Sequence, residues 1–264
     1  MFFIKEYKPK KIKKPDIFTN RKRILNNKNK NLDYLLKKRF GWMSKYLLKK
    51  KIIIELGSGN GCIKYILKNN KIIVTDIIKY PWINKKVDMT KINLNKKYLK
   101  KVDIFIINHS LHHCPNPSKS LQNMSKFLNT GGLVLLNEPE TSFFLKFIQL
   151  LLDDEGWSLK AKVFNKKKDI FNSKNPWVSN TAIANLLFKN EKRFTKYFPQ
   201  YQIKKNTLSE FFIFLNSGGV NTKFSCLPLN NFFLKIVDII DKILIYFFPS
   251  IFALNRSIIL KKIK

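Results

Sequence analysis

Residues 52–61 of this chain read Ile-Ile-Ile-Glu-Leu-Gly-Ser-Gly-Asn-Gly. The β-branched run predicts a buried strand, and the glycines that follow it let the backbone turn sharply and approach a ligand closely. In open α/β sheets, ligands bind beyond the carboxyl ends of the strands, where such a loop lies. The stretch therefore predicts the first strand of an α/β sheet and a ligand-binding loop directly after it.

The segments around this stretch continue the alternation of strands and helices. The predicted strands are residues 51–56, 71–75, a short piece around Val87, 102–107, 133–136, 201–208 and 257–261, and the predicted helices are 32–48, the stretch from the glycine loop to Leu67, 118–128 and 231–248. Apolar strands that alternate with helices indicate a parallel sheet covered on both faces. We expect an α/β, Rossmann-like fold with a mostly parallel seven-stranded sheet, helices on both faces and a helical lid insertion.

The composition changes along the chain and indicates four parts. Residues 1–30 are a basic N-terminal arm, which we expect to be loosely ordered. Residues 31–140 form the ligand-binding core. Residues 141–200 are aromatic and rich in Lys, lose the strand–helix rhythm, and predict a helical insertion or lid. Residues 201–264 contain the last strands of the sheet with helices between them.

The spacing of the glycines distinguishes two classes of cofactor. Dinucleotide-binding loops follow the pattern G-x-G-x-x-G, whereas here the glycines are Gly57, Gly59 and Gly61 and position 62 is Cys62. An NAD-dependent oxidoreductase is therefore disfavoured. The pattern E-x-G-x-G-x-G, which begins at Glu55, resembles motif I of the class I S-adenosylmethionine-dependent methyltransferases.

The resemblance continues in order along the chain. Asp76 matches the acidic residue after the second strand, Val87-Asp88-Met89 matches the segment after the third, residues 103–113 (DIFIINHSLHH) match the fourth-strand motif, and residues 130–135 match the turn into the fifth. It implies S-adenosylmethionine as cofactor, with Asp76 on the ribose and residues 87–89 beside the adenine. The Leu-His-His at 111–113 looks most like the small-molecule branch that includes ubiquinone and menaquinone methyltransferases.

The resemblance and the position of the cleft together give the candidate cofactor-binding residues. They are Glu55, Gly57, Ser58, Gly59, Asn60, Gly61, Asp76, Ile77, Asp88, Met89, Asn108 and His109. No aromatic residue directly follows Asp76, so Ile77 or Ile78 is expected to pack against the adenine.

The chain has three histidines, His109, His112 and His113, and all follow the fourth strand. Imidazole is the usual general base near neutral pH, and a hydroxyl acceptor would have to lose its proton as the methyl group arrives. His112 and His113 are therefore candidate catalytic bases, with a packing role as the alternative for either one.

Glu138 is a third candidate base. Five of the 17 carboxylates fall between residues 138 and 155, a cluster that fits acceptor binding, a helix N-terminus or ion pairs with Lys equally well. No metal site is expected. The three histidines and Cys114 lie close together on one loop, and such residues seldom converge on an ion without a distant ligand.

The chain has 51 Lys and Arg against 17 Asp and Glu, a formal net charge of +34. Such a charge suits a polyanionic partner such as RNA. Lys, Asn, Ile and Phe are enriched together, however, and all four have AT-rich codons, so drift in base composition explains the charge at least as well. We expect methyl transfer to a small-molecule acceptor, at an oxygen atom. An RNA methyltransferase and a non-catalytic S-adenosylmethionine-binding module are the alternatives.

Three widely spaced cysteines and a first segment without a long apolar run indicate a cytoplasmic protein. The most apolar tract, residues 232–254, is interrupted by Lys235, Asp238, Asp241 and Lys242. This spacing predicts an amphipathic helix, with peripheral contact to a membrane surface as an open alternative. The oligomeric state cannot be predicted from the sequence.

Overall fold

The computed structural model describes residues 4–26, 28–47, 52–67, 71–172, 174–220 and 223–264. The strands are β1 (Glu6–Tyr7), β2 (Ile53–Leu56), β3 (Ile72–Asp76), β4 (Lys85–Lys86), β5 (Val102–Asn108), β6 (Leu128–Pro139), β7 (Trp157–Ser158), β8 (Tyr201–Ser209) and β9 (Asn255–Lys262). The helices are α1 (Ile17–Leu25), α2 (Lys30–Gly41), α3 (Ile63–Ile66), α4 (Pro117–Phe127), α5 (Phe143–Leu152), α6 (Ile183–Phe188), α7 (Glu191–Tyr197), α8 (Phe212–Leu215), α9 (Asn231–Phe247) and α10 (Pro249–Phe252).

Seven strands form the central sheet in the order β4-β3-β2-β5-β6-β9-β8. The strands from β4 to β6 run parallel, and β9 runs antiparallel to both of its neighbours, β6 and β8. The carboxyl ends of β2, β3 and β5 therefore meet at one edge of the sheet. The predicted α/β fold with a mostly parallel seven-stranded sheet is confirmed.

Both faces of the sheet are covered, which is why its inner strands are apolar throughout. On one face Ile54 and Phe105 pack in a cluster with Leu121 of α4, and on the other Ile106 packs in a cluster with Phe40 of α2. All five side chains are fully buried. Burying one such side chain contributes about 1.5–3 kcal/mol to stability.

Most predicted elements form close to their expected bounds, with three exceptions. The strand predicted over 133–136 is the longer β6, Leu128–Pro139. The helix predicted over 32–48 ends at Gly41 and is followed by a 3-10 turn at Ser44–Tyr46. The helix after the glycine loop is short, Ile63–Ile66. Two predicted ends, Leu48 and Lys51, lie outside the described residues.

The N-terminal arm is more ordered than predicted. Its helix α1 begins at an Asp16 cap, whose side chain accepts a hydrogen bond from the backbone N–H of Thr19. Ile17 and Ile24 are buried in the same cluster that covers the sheet. These two apolar residues lie on one face of a Lys-rich segment and anchor the helix to the core. The high overall charge of the arm led the sequence analysis to overlook them.

The segment 141–200 is only partly helical, in contrast to the prediction. Helices α5, α6 and α7 lie in it, but residues 153–182 are mostly loop. Within that loop, β7 pairs antiparallel with β1. Gly156 allows this pairing, because a Cβ atom there would lie 2.6 Å from the carbonyl oxygen of Tyr7.

Helix α9 is amphipathic, as the charge spacing predicts. Leu234, Asp241 and Ile245 are buried against the protein. The opposite face carries eight large side chains that are between 38% and 81% exposed: Phe232, Phe233, Ile236, Ile239, Ile240, Ile243, Tyr246 and Phe247. We call these eight residues the α9 apolar face. No helix in the described part of the chain is long and apolar enough to cross a membrane.

Candidate functional site

A cavity of about 380 Å³ opens at the carboxyl ends of β2, β3 and β5. Its volume falls within the range of about 300–1,000 Å³ that is typical of small-ligand pockets. The glycine loop and the segments after β3 and β5 line it. Residues of the segment after β6 complete the lining: Leu152, Asp154, Glu155, Phe171, Asn175, Pro176 and Trp177. The cavity therefore lies where open α/β sheets bind their ligands.

The glycine loop takes a backbone shape that only glycine adopts easily. Gly57, Gly59 and Gly61 have φ angles of +68°, +52° and +68°. A Cβ atom on Gly57 would lie 2.5 Å from the Cβ atom of Ser110, whereas one on Gly59 would meet nothing within 4 Å. The loop thus packs tightly against β5 at Gly57 and faces open space at Gly59.

Two aspartates lie on the cavity wall next to this loop. Asp76 accepts hydrogen bonds from the backbone N–H of Gly59 at 2.8 Å and of Ile78 at 2.9 Å. Asp88 uses Oδ1 to accept bonds from the N–H and the hydroxyl of Thr90, both at 2.7 Å. These local bonds fix the directions of both carboxylates. Burial raises the pKa of Asp76, against the lowering effect of the loop N–H groups.

Glu55, at the end of β2, is buried on the wall of the same cavity. Its carboxyl group accepts a hydrogen bond from the hydroxyl of Ser58. Burial raises the pKa of Glu55 to about 8, and the nearby Asp76 carboxylate adds to the effect. At neutral pH, Glu55 is therefore predominantly protonated in the ligand-free chain.

Glu138 lies behind the cavity wall and does not line it. Its fully buried carboxylate accepts backbone N–H bonds from Ser110 at 3.0 Å, Leu111 at 2.7 Å and His112 at 3.2 Å, and a ring N–H bond from His112 at 2.7 Å. Four donors thus hold one carboxylate. The arrangement fixes the turn after β5, and Glu138 does not reach a molecule bound in the cavity.

His112 and His113 both line the cavity, and their rings meet Glu155, which comes from the loop after α5. Glu155 Oε1 lies 3.3 Å from His112 Nε2 and 3.4 Å from His113 Nε2. Burial alone would lower the pKa of His112, but the Glu155 and Glu138 carboxylates raise it to about 10. The same histidines hold the pKa of Glu155 well below its usual range, although burial opposes this.

His109 also lies on the cavity wall. Its φ angle is +50°, and its Nε2 lies 3.1 Å from Asn255 Oδ1. Burial holds its pKa well below the usual range, and the positive charge of Arg39 lowers it further. The ring is therefore neutral at pH 7.

The N-terminal helix covers the glycine loop from outside. Arg21 donates a hydrogen bond to the carbonyl of Asn60 at 2.6 Å, and Trp82 donates one to the carbonyl of Gly59 at 2.8 Å. The Arg21 guanidinium lies 4.5 Å from the centre of the Trp82 ring, a cation–π distance. Ile17 of the same helix reaches the cavity itself.

Most of the residues predicted from sequence come together here. Eleven of the twelve candidate cofactor residues line the cavity, and the exception is Gly61, which is covered by Trp82 and Arg21. His112 and His113 also line it, whereas Glu138 does not. The sequence analysis missed Ile17, Tyr80 and Phe171, which line the cavity, and Arg21 and Trp82, which cover the glycine loop from outside. It saw Glu155 only as one acid in a cluster. The aromatic pair Tyr80 and Trp82, four and six positions after Asp76, was the signal that could have been used.

Comparison with known proteins shows which family the chain belongs to. The family described as "Methyltransferase domain" matches residues 28–191, more than half of the chain. The chain belongs to this family. It is a class I methyltransferase, an enzyme whose cofactor is S-adenosylmethionine. No curated protein matches the sequence.

Solved structures resemble the methyltransferase at low sequence identity. The crystal structure of a SAM-dependent methyltransferase from Archaeoglobus fulgidus is 15% identical, with a TM-score of 0.50, over 87% of this chain and 94% of that chain. The YcgJ protein from Bacillus subtilis is 11% identical, with a TM-score of 0.46, over 85% of this chain and 97% of that chain. At 15% identity the likeness to the Archaeoglobus fulgidus protein shows the fold alone. The likeness to ubiquinone and menaquinone methyltransferases therefore stays a prediction.

The residues of the cavity fit S-adenosylmethionine. The space above Gly59 lets a ligand approach the backbone of the glycine loop. Asp76 can accept hydrogen bonds from ribose hydroxyls through lone pairs that its backbone contacts leave free. Ile77, which is 40% exposed, and Met89 offer apolar surface on the same wall.

Proposed function

We propose that the methyltransferase transfers a methyl group to an oxygen atom of a small-molecule acceptor bound in this cavity. The observation that carries the proposal is that one cavity is lined by two chemically different sets of residues, which we take as its two ends. One set is the glycine loop with Asp76 and Asp88, and the other is His112, His113 and Glu155. A transferase needs such a pair of adjoining sites, because the donor and the acceptor must meet in line.

We assign the first end to the cofactor. Asp76 would accept bonds from the ribose hydroxyls, and Asp88 with Met89 and Ile77 would flank the adenine. The loop residues Gly57 to Asn60, with Glu55 behind them, would hold the methionine part, and Asn108 and His109 would close the site from β5. When bound, S-adenosylmethionine supplies a methyl group on a positively charged sulfur.

The chain's own residues then position the acceptor and keep water out. Ile17 from α1, and Phe171 and Trp177 from the loop after α5, line the cavity. We therefore propose residues 141–200 as a lid over the core formed by residues 31–140, with residues 1–30 as a second cover and residues 201–264 completing the sheet. Excluding water helps a transfer in which the positive charge on sulfur disappears.

We divide the proposed catalytic residues by what each can reach. Glu138 acts through His112 and is a positioning residue, because its carboxylate is fully used inside the protein. His112 has both ring nitrogens against carboxylates and a raised pKa, so it does not serve as a free base. His113, which is partly exposed and lines the cavity, is the group that receives the proton of the acceptor hydroxyl, and Glu155 lies against its ring.

The small-molecule assignment is favoured over RNA by the use that the chain makes of its arginines. Arg21 and Arg23 are the arginines of the N-terminal arm, and both donate to backbone carbonyls inside the protein: Arg21 to Asn60, and Arg23 to Gly218, Gly219 and Val220. Side chains occupied in this way are withdrawn from phosphate binding.

We also propose that the α9 apolar face contacts an anionic lipid surface. Eight large exposed side chains on one helix face form more apolar surface than isolated exposed residues do. Lys235 and Lys242 are exposed on the same helix, and the whole chain carries a formal charge of +34. An apolar face beside positive charge matches the chemistry of an anionic membrane surface, where an acceptor with a lipid tail would be found.

The experiment uses S-adenosylmethionine labelled in its methyl group, with a small-molecule cell extract and total RNA offered in parallel. We expect the label in molecules that pass a small-pore filter, as methyl ethers that resist mild base. Label in RNA, with a rate that falls steeply as salt rises, would instead support the RNA alternative. Tight cofactor binding without any transfer would support the non-catalytic module.

A further inference from the structure

Three side chains that could ligate a metal converge at the acceptor end of the cavity. They are His112, His113 and Glu155, and one ligand atom from each lies within 4.8 Å of the other two. Two of these residues are neighbours on the turn after β5, and the third comes from the loop after α5, more than forty positions along the chain. All three line the cavity.

The other ring nitrogen of each histidine is already held by an acceptor. His112 Nδ1 lies 2.7 Å from the Glu138 carboxylate, and His113 Nδ1 lies 3.1 Å from the carbonyl oxygen of Val178. Metal-binding histidines characteristically donate their second N–H to a carboxylate or a backbone carbonyl, which fixes the tautomer and the ring direction. Both histidines here have this support.

The support directs the other nitrogen of each ring toward the same carboxylate oxygen. His113 Nδ1 faces the Val178 carbonyl, and His112 Nδ1 faces the Glu138 carboxylate. Both Nε2 atoms then lie beside Glu155 Oε1, at 3.3 and 3.4 Å. One divalent cation placed between these three atoms would take all of them as ligands.

The spacing suits a metal ion. With metal–ligand distances of about 2.0–2.2 Å, neighbouring ligand atoms of a tetrahedral or octahedral site lie about 3.0–3.5 Å apart. The two Nε2–Oε1 distances fall in that range. Two histidines with one carboxylate leave further coordination positions free for an outside ligand.

We propose that His112, His113 and Glu155 form a binding site for a divalent first-row transition-metal ion, such as Zn²⁺ or Mn²⁺, with Glu138 and Val178 as its supporting shell. The proposal that the ion binds does not depend on the proposed function. The ion's role rests on that function and replaces direct proton transfer to His113: the ion would hold the acceptor oxygen at an open position, and the hydroxyl proton would pass to water.

The sequence analysis expected no metal site, because the three histidines and Cys114 share one loop. The distant ligand that this reasoning required is Glu155. Its place beside the histidines depends on the path of the loop after α5, which no local pattern reveals. Cys114 is buried, and it is not a member of the converging group.

The test is calorimetric titration of the tag-free full chain, first stripped with a chelator, with Zn²⁺ and with Co²⁺, whose visible absorption reports nitrogen and oxygen ligands. We expect one ion per chain in wild type, and affinity reduced by more than about tenfold in Glu155→Gln and in His113→Ala. Glu138→Gln should lose about 10- to 100-fold, as changes to supporting residues do. Asp154→Asn removes a neighbouring acid of the same cavity but no ligand, so it is the control for lost negative charge and should lose less affinity than Glu155→Gln.

Absence of a one-to-one site in wild type overturns the proposal, and so does equal affinity in wild type and Glu155→Gln. Circular dichroism of each variant establishes that it is folded, and the partly exposed His113 gives a second variant if Glu155→Gln unfolds. S-adenosylmethionine affinity is measured on the same samples. Metal binding without methyl transfer to any small molecule would refute the proposed function and leave the metal site intact.

Discussion

At the residue scale, the chemistry of the site depends on a few carboxylates whose surroundings differ sharply. Asp76 and Glu138 are both fixed by backbone N–H groups, but Asp76 faces the cavity and Glu138 faces away from it. The sequence correctly predicted that both lie at the carboxyl ends of strands. It did not reveal which one reaches a ligand, because the direction of a side chain after a strand depends on the neighbouring turn.

Glu55 gives a prediction about pH. Its pKa is about 8 in the folded chain and near 4.5 when unfolded, so between these values the folded state binds more protons than the unfolded state. The free energy of unfolding of the ligand-free chain should therefore fall by a few kcal/mol as pH rises from about 4.5 to about 8. In Glu55→Gln this contribution to the fall should disappear.

The measurement is urea unfolding at a series of pH values, for wild type and Glu55→Gln side by side. Groups distant from Glu55 titrate equally in both chains, so the difference between the two curves reports Glu55 together with its effect on the neighbouring Asp76. Parallel curves across this range would show that the folded chain does not raise the pKa of Glu55.

At the element scale, long-range ion pairs hold together parts of the fold that no local pattern connects. Arg39 of α2 makes a two-pronged pair with Glu210, just after β8, with N–O distances of 2.7 to 3.1 Å. Both side chains are buried, and Glu210 has a φ angle of +66°. Apolar periodicity predicted that both elements exist, although α2 ends earlier than expected. Their pairing spans most of the chain, and a local pattern cannot reveal it.

Removing one partner of this pair should strongly destabilise the protein. Arg39→Met leaves the Glu210 charge buried and unpaired, and we expect a loss of about 3–5 kcal/mol in the free energy of unfolding. The double variant Arg39→Met with Glu210→Gln should recover much of that loss. A double variant as unstable as the sum of the two single variants would mean that the two residues do not interact.

At the scale of the whole molecule, net charge and exposed apolar surface determine which partners the protein can bind. The composition predicted a basic surface, and the spacing of charges in 232–254 predicted an amphipathic helix. The cover that α1 forms over the glycine loop could not be predicted in the same way. This cover depends on the buried Ile17 and Ile24 and on the hydrogen bond from Arg21 to the Asn60 carbonyl. These residues lie in a segment whose average composition indicates disorder.

The α9 apolar face predicts binding to anionic lipid. The full chain should sediment with vesicles of phosphatidylcholine and phosphatidylglycerol and not with phosphatidylcholine alone. Phe233→Glu with Ile240→Glu should abolish this sedimentation, while Leu99→Glu, which changes an exposed apolar residue elsewhere, should not. Binding that survives the double substitution would contradict the lipid proposal. So would a dimer in size-exclusion chromatography that the double substitution dissociates, because the face would then pair two copies of the chain.

The central claim is that the cavity at the glycine loop holds S-adenosylmethionine through Asp76. The measurement that tests it most directly is calorimetric titration of the purified chain with S-adenosylmethionine and with its demethylated product, with NAD as control. We predict micromolar binding of the first two and none of NAD, with affinity at least about tenfold weaker in Asp76→Ala, which loses the ribose contacts. Absence of S-adenosylmethionine binding, or equal affinity in wild type and Asp76→Ala, would contradict the claim.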